Sequence, residues 1–181
     1  MNRDQMEHAI RAVGDISGAS EVIVVGSQAI LGQFPDAPLF LRRSMELDVI
    51  PIGNAGALDS IAGAMGAMSR FEVTHGFHVD AVELEAIKLS VGWRDRLHVV
   101  RNAGTRNVTG SCLDVSDIAA SKLAAYRIKD REYVRALLAH GLLSSRVLLL
   151  RVSSLPIPAE KIEAIENWIR AVEKELPTDS E

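Results

Sequence analysis

A short run of β-branched residues that ends in glycine and serine constrains the fold more than any other part of the sequence. Residues 21–26 read Glu-Val-Ile-Val-Val-Gly, which predicts a buried strand, and Ser27 follows directly. Ser27 can cap a short helix, whose free backbone N–H groups are able to hold an anionic phosphate. Gly26 lets a ligand approach the backbone closely. This unit therefore predicts an α/β fold with an anion site where the strand ends.

A second predicted strand, over residues 45–50, carries two carboxylates on one face. Side chains alternate along a strand, so Glu46 and Asp48 point to the same side of the sheet. Two adjacent carboxylates repel each other unless a cation lies between them, and hard cations such as Mg²⁺ prefer oxygen ligands. The alternative is that these residues only cover an exposed strand face.

The other segments predict further helices and strands around these two. Helices are predicted over residues 2–16 and 55–69 from apolar residues at helical spacing. Strands are predicted within residues 71–82 and over 97–101 and 106–113, the last two as a hairpin with a turn at Gly104. From residue 116 onward the pattern is helical, with predicted helices over residues 116–129, 130–140, 144–152 and 159–175.

The order of these elements predicts a mixed α/β (α+β) fold. We expect a small mixed β-sheet with helices packed on it and a helical C-terminal part. We predict a core domain over residues 1–113 and a helical part packed on that core over residues 114–176.

Composition narrows the class of protein. Hydrophobic residues make up 48% of the 181 residues and charged residues 24%, which is ordinary for a globular protein. The single cysteine, Cys112, cannot form an internal disulfide, so we expect a cytoplasmic location. We expect no signal peptide, because the first residues mix both charge signs and hold no apolar core segment. We expect no membrane span either, because no apolar run approaches the roughly 18 residues that a span needs. The net charge of -4 gives no sign of a broad nucleic-acid surface, although four arginines form a local cluster at Arg94, Arg96, Arg101 and Arg106.

The sequence resembles the polymerase-β-like nucleotidyltransferase superfamily in the order of its motifs. The signature of that superfamily is Gly-Ser, a spacer and Asp-x-Asp on the following strand, and here Gly26-Ser27 is followed by a spacer and by Glu46-x-Asp48. Four stretches extend the likeness over about residues 1–150: VIVVGSQAILGQFPDAP, GWRDRL, RNAGTRNVTG and DIAASKLAAYRIKDREYVRALL. They look like a family of uncharacterised bacterial nucleotidyltransferases, related to the AbiEii-like toxins of type IV toxin–antitoxin systems.

The resemblance implies a role for each matching residue. Gly26 and Ser27 would contact the triphosphate of an NTP, and the carboxylates would bind Mg²⁺ or Mn²⁺. Lys122 would pair with phosphate as a point charge, and Asp130 would support the catalytic site. The implied reaction moves an NMP from an NTP to RNA (tRNA in particular), to a protein or to a small molecule. Toxin-like action and an antitoxin partner are implied as well, and an oligomer is compatible with the apolar helices.

Three departures from the family pattern leave an alternative open. Glu46 replaces the usual first aspartate, and the spacer between Ser27 and Glu46 has eighteen residues. The third carboxylate, which the family usually carries on a later strand, is not fixed by the motif; Asp80 is the best candidate by position, and the alternative is that Asp80 is a surface strand residue. A catalytically degenerate nucleotide-binding or protein-interaction module is therefore the second hypothesis.

Other candidate residues also have simpler interpretations. Lys122 can also be a solvated lysine, and Asp130 can simply cap a helix. His75 and His78 lack the further ligands that a zinc site needs.

Overall fold

The structure is a computed structural model that describes residues 1–176 and divides into two compact units. The first unit comprises Met1–Ala86 and Arg94–Asp114, and the second comprises Ile87–Trp93 and the chain from Val115 onward. Among the described residues, no helix has the length and apolar character required to cross a membrane.

The first unit opens with helix α1 (Arg3–Ser17), as predicted for residues 2–16. Asn2 caps its start: the side chain accepts the Gln5 N–H, and the Gln5 side chain accepts the Asn2 N–H in return, both at 2.9 Å. Gly18 ends the helix in the left-handed region with φ 70°. One face of α1 is fully buried, which fixes the helix against the sheet described next.

A five-stranded mixed sheet forms the centre of the first unit within the described residues. Its strands are β1 (Glu21–Val25), β2 (Glu46–Pro51), β3 (His78–Ala81), β4 (His98–Val100) and β5 (Thr109–Cys112). They lie in the order β3-β2-β1-β5-β4. β1 is antiparallel to β2 and parallel to β5, while β2 and β3 are parallel. The predicted small mixed sheet with packed helices is confirmed.

Three further helices belong to this unit: α2 (Ile30–Gln33), α3 (Leu58–Met65) and α4 (Arg70–His75). The predicted helix over residues 55–69 is shorter than expected, because it begins as a 3-10 turn at Ala55–Ala57 and ends at Gly66.

The prediction of strand structure from residue 71 was wrong, because α4 occupies that segment. The Ser69 hydroxyl accepts the Glu72 N–H at 3.2 Å and caps the start of the helix, and Gly76 ends it. These local signals override the strand preference of Phe71 and Val73. The strand begins only at His78.

The predicted hairpin is present as β4 and β5, which pair antiparallel with His98 opposite Cys112. Both strands are shorter than predicted. The connection is longer, because Asn102 and Thr105 bond to each other through side chains and backbone, and Arg106 and Asn107 adopt positive φ.

The second unit is helical, as expected for the C-terminal part. It contains α5 (Val115–Ala125), α6 (Ile128–Ala139), α7 (Ser145–Val152) and α8 (Ala159–Glu175). α5 packs against α6 and α7, and α7 packs against α8. The predicted first helix, to residue 129, breaks earlier, since Tyr126 has φ 58° and α6 starts two residues later.

Candidate functional site

The two acidic residues of β2 meet a third on the neighbouring strand. Asp48 and Asp80 are direct partners in the β2–β3 register. Glu46, two residues before Asp48, projects from the same face. One carboxylate oxygen from each of the three residues lies within 4.8 Å of the other two. Glu46 and Asp48 are half-buried and Asp80 is exposed, so the group, called the carboxylate triad below, is open on one side.

Such a group concentrates negative charge in a small volume. Three carboxylates at this separation repel one another, and a divalent cation with oxygen ligands relieves the repulsion. Among residues 1–176, the carboxylate triad is the group of three or more His, Cys, Asp or Glu side chains spaced to hold a metal ion. Its residues are those that the sequence suggested for metal binding.

Gly26 lies directly against the triad. Val25 is the register partner of Asp48, and Gly26 follows it with φ 66° and ψ -164°, a conformation that is essentially restricted to glycine. A Cβ atom at position 26 would collide with Oδ2 of Asp48. Glycine is therefore needed at position 26 to leave room for the Asp48 carboxylate, whether or not a ligand also approaches the backbone there.

The turn after Gly26 differs from the predicted capped helix. Ser27–Ala29 forms a 3-10 turn that leads into α2, and Gly26, not Ser27, occupies the N-cap position. Ser27 is half-buried at the same end of β1 as Gly26. This position is compatible with ligand contact, and the N-cap position expected for Ser27 is taken by Gly26.

Gln28 was missed by the sequence analysis. Its side chain is fully buried, and neither amide atom has a hydrogen-bond partner among the described residues. Leaving a buried polar group unsatisfied costs about 1–3 kcal/mol, so such groups often mark functional regions. The only signal in the sequence was its place directly after Gly26-Ser27.

His78 borders the triad as the register partner of Glu46. Its Nδ1 lies 2.8 Å from Oε1 of Glu72 on α4. The Met68 N–H and then the His78 hydrogen bond lower the pKa of Glu72. This pair ties α4 to the strand that carries Asp80. His75 instead contacts the ring of His8 edge-to-face, with ring centroids 4.4 Å apart.

Lys122 and Asp130 form a separate group within the helical unit. Asp130 is fully buried, and its oxygens lie 3.5 Å from Lys122 Nζ and 2.7 Å from Arg127 Nε. Lys122 Nζ also lies 4.7 Å from the ring centre of Tyr133, whose pKa is raised by burial. The two residues implied by the family likeness are thus paired with each other. The side chain of Lys122 is only 19% exposed.

A mixed sheet with three carboxylates on two neighbouring strands, beside a Gly-Ser turn, is consistent with a fold of the nucleotidyltransferase type. The sequence profile of one protein family, described as nucleotidyltransferase of unknown function (DUF6036), matches residues 4–163. The chain belongs to this family. The predicted membership among nucleotidyltransferases is therefore confirmed, and the relation to AbiEii-like toxins stays a prediction.

No similar protein was found among curated proteins or among solved structures.

Proposed function

We propose that this chain is a metal-dependent nucleotidyltransferase that moves an NMP from an NTP to an acceptor hydroxyl. The observation that carries the proposal is the carboxylate triad, whose oxygens converge within 4.8 Å at the Gly26 turn. In the proposed reaction the acceptor oxygen bonds to the α-phosphorus. The bond from that phosphorus to the oxygen bridging to the β-phosphate breaks, pyrophosphate leaves, and the hydroxyl proton is released.

The residues present fit a divalent cation. All three ligands offer carboxylate oxygens, the donor type that Mg²⁺ and Mn²⁺ prefer, and Glu46 reaches the other two despite its extra methylene. A bound cation would neutralise phosphate charge and polarise the α-phosphate. Glu46, Asp48 and Asp80 would hold it, and Asp80, the exposed member, leaves the approach from solvent open.

Gly26 and Ser27 are the proposed contacts for the triphosphate. Their support is position, since Gly26 follows the register partner of Asp48 and lies directly against the Asp48 carboxylate. A triphosphate here would lie beside the cation that the triad holds.

Further details of the function follow from the family likeness. We propose that Lys122 contributes positive charge to phosphate binding and that Asp130 positions the Lys122 ammonium through their ion pair. The acceptor is proposed to be RNA (tRNA in particular), a protein or a small molecule, with toxin-like action and an antitoxin as partner. The buried, free thiol of Cys112 is in keeping with the cytoplasm as the proposed location.

The test is transfer of label from each α-³²P-labelled NTP, with Mg²⁺ or Mn²⁺, into total RNA, protein and small-molecule acceptors. We expect transfer by the wild type and a loss of more than about 100-fold in Asp48→Asn, since even outer-shell changes at metal sites cost 10–100-fold. Asp59→Asn, which changes an exposed aspartate of α3, is the matched control and should keep wild-type transfer.

A second candidate function is a catalytically degenerate nucleotide-binding module, which Glu46 favours because it replaces the first aspartate of the motif. Metal-dependent NTP binding without transfer to any acceptor would support this candidate. Restored transfer in Glu46→Asp would then show that the longer side chain is what suppresses catalysis.

A further inference from the structure

The loop over residues 34–45, between α2 and β2, is held in place by its own turns and by two buried side chains. The Ala37 N–H bonds to the Phe34 carbonyl at 3.1 Å, and the Leu41 N–H bonds to the Pro38 carbonyl at 2.9 Å. Ala37 and Leu41 are buried. The loop therefore presents its remaining side chains from a fixed backbone.

Two of those side chains form an exposed stacked pair. The guanidinium carbon of Arg43 lies 4.4 Å from the centre of the Phe40 ring. Phe40 remains 38% exposed, and its neighbour Leu39 is 76% exposed. An aromatic ring covered by an arginine and open to solvent contributes little to a core. It has the composition of a surface on which a nucleobase stacks, since every base has a π-face and Arg adds a cation–π contact.

Chain connectivity limits how far Arg43 can lie from the carboxylate triad. Arg43 precedes Glu46 by three residues, which span at most about 10 Å even when fully extended. The Glu46 N–H bonds to the Ser44 hydroxyl at 3.2 Å, which ties the end of the loop to the start of β2. The maximum separation of about 10 Å between Arg43 and Glu46 is comparable to the distance from the phosphate of a nucleotide, through its ribose, to its base.

We propose that Phe40 and Arg43 form the nucleobase subsite of the NTP. The proposal rests on the proposed function, because it takes the triad as the place of the phosphates. The base stacks on the Phe40–Arg43 pair, and the guanidinium also adds positive charge beside an anionic ligand. Stacking reads the face of a base and not its edge. The pair therefore accepts all four bases, and ATP and GTP bind more tightly than CTP and UTP because purines cover more of the ring.

The experiment compares NTPs with inorganic triphosphate as ligands of the full chain. Calorimetric titrations with Mg²⁺ are made for the wild type, Phe40→Leu and Phe40→Tyr. Phe40→Leu keeps an apolar side chain but removes the ring, and we expect it to weaken every NTP by about ten-fold, within the range for one lost stacking contact. Its affinity for inorganic triphosphate should stay unchanged, and Phe40→Tyr should restore NTP affinity.

A matched control is Val99→Ala, which truncates an apolar side chain of β4 that is 66% exposed. It should bind all ligands as the wild type does. Wild-type NTP affinity in Phe40→Leu, or equal losses for NTP and triphosphate, would overturn the subsite while leaving the proposed function standing. A wild type that binds neither ligand in the presence of metal would instead refute the proposed function and the subsite with it.

Discussion

The backbone conformation at position 26 and the neighbouring carboxylate of Asp48 both require a glycine there. The residue has φ 66° and ψ -164°, and the space where a Cβ atom would stand is taken by the Asp48 carboxylate. Any side chain at this position must therefore either distort the turn or push Asp48 out of the triad. The residue links the end of β1 directly to the geometry of the metal site.

We predict that Gly26→Ala destabilises the protein and weakens metal-dependent NTP binding. The strain of a residue forced into this region is about 1–3 kcal/mol. Chemical denaturation measures the stability, and calorimetry with NTP and Mg²⁺ measures binding.

Gly18→Ala is the control for backbone strain alone. Gly18 also has positive φ, but apart from its two chain neighbours no heavy atom of residues 1–176 lies within 4 Å of the Cβ position. This variant should lose about 1–2 kcal/mol of stability and bind NTP normally. Normal NTP binding by Gly26→Ala would contradict the account of the Asp48 contact.

The sequence was informative about which residues form the triad because strand alternation is a local property. It placed Glu46 and Asp48 on one face, whereas Asp80 came from the family pattern as the candidate for a third carboxylate. It could not give the pairing of Asp48 with Asp80, which depends on the register between strands distant in sequence. The full burial of Gln28 was hidden for the same reason, since burial depends on what the rest of the chain brings against it.

Among the elements, α4 shows how local capping can decide structure against residue preference. Its six residues include Phe, Val and Thr, which favour strands, yet Ser69 and Gly76 bound a helix. Once formed, α4 packs the His75 ring on His8 of α1 and the Phe71 ring edge-on against Phe77.

This packing makes the α1–α4 contact sensitive to acid. Burial, followed by the electrostatic effects of His75 and Arg11, lowers the pKa of His8. The fold therefore favours neutral His8, whereas the unfolded chain takes up the proton near its ordinary pKa of about 6.5. The stability contributed by neutral His8 is complete above that value and is lost as the pH falls through it toward the lower folded pKa.

We predict that His8→Asn loses less stability than the wild type between pH 7.5 and pH 5, as measured by urea denaturation at each pH. His140→Asn serves as the control, because His140 is an exposed residue at the end of α6. It should follow the wild-type profile. If the stability of His8→Asn and that of the wild type fell in parallel with pH, the surroundings of His8 would not disfavour its protonation, and the prediction would be wrong.

At the scale of the whole molecule, the fold class could be predicted from the sequence because strand patterns and helix patterns follow one another along the chain. Short β-branched runs such as residues 21–25 mark the strands, and the helical spacing of Ile165, Ile169 and Val172 marks the last helix. The residues at which helices and strands end were harder to predict. The break after Ala125 depends on the left-handed conformation of Tyr126, a residue with no special preference for it.

The two units carry the two groups of residues implied by the family likeness. The carboxylate triad and Gly26 lie in the first unit, and the buried pair of Lys122 and Asp130 lies in the second. The first group is supported by convergence of its oxygens and by the fit of Gly26. The second is supported as an ion pair, and its part in phosphate binding is a prediction for variants to test.

The most direct test of the central claim is a calorimetric titration of the protein with each NTP, with and without Mg²⁺, in the wild type and in Asp48→Asn. The account predicts binding that requires the metal, is lost in Asp48→Asn and is kept in the control Asp59→Asn, with folding of each variant verified by its Tm. Equal NTP affinity with and without metal, or unchanged affinity in a folded Asp48→Asn, would contradict a metal–nucleotide site at the carboxylate triad.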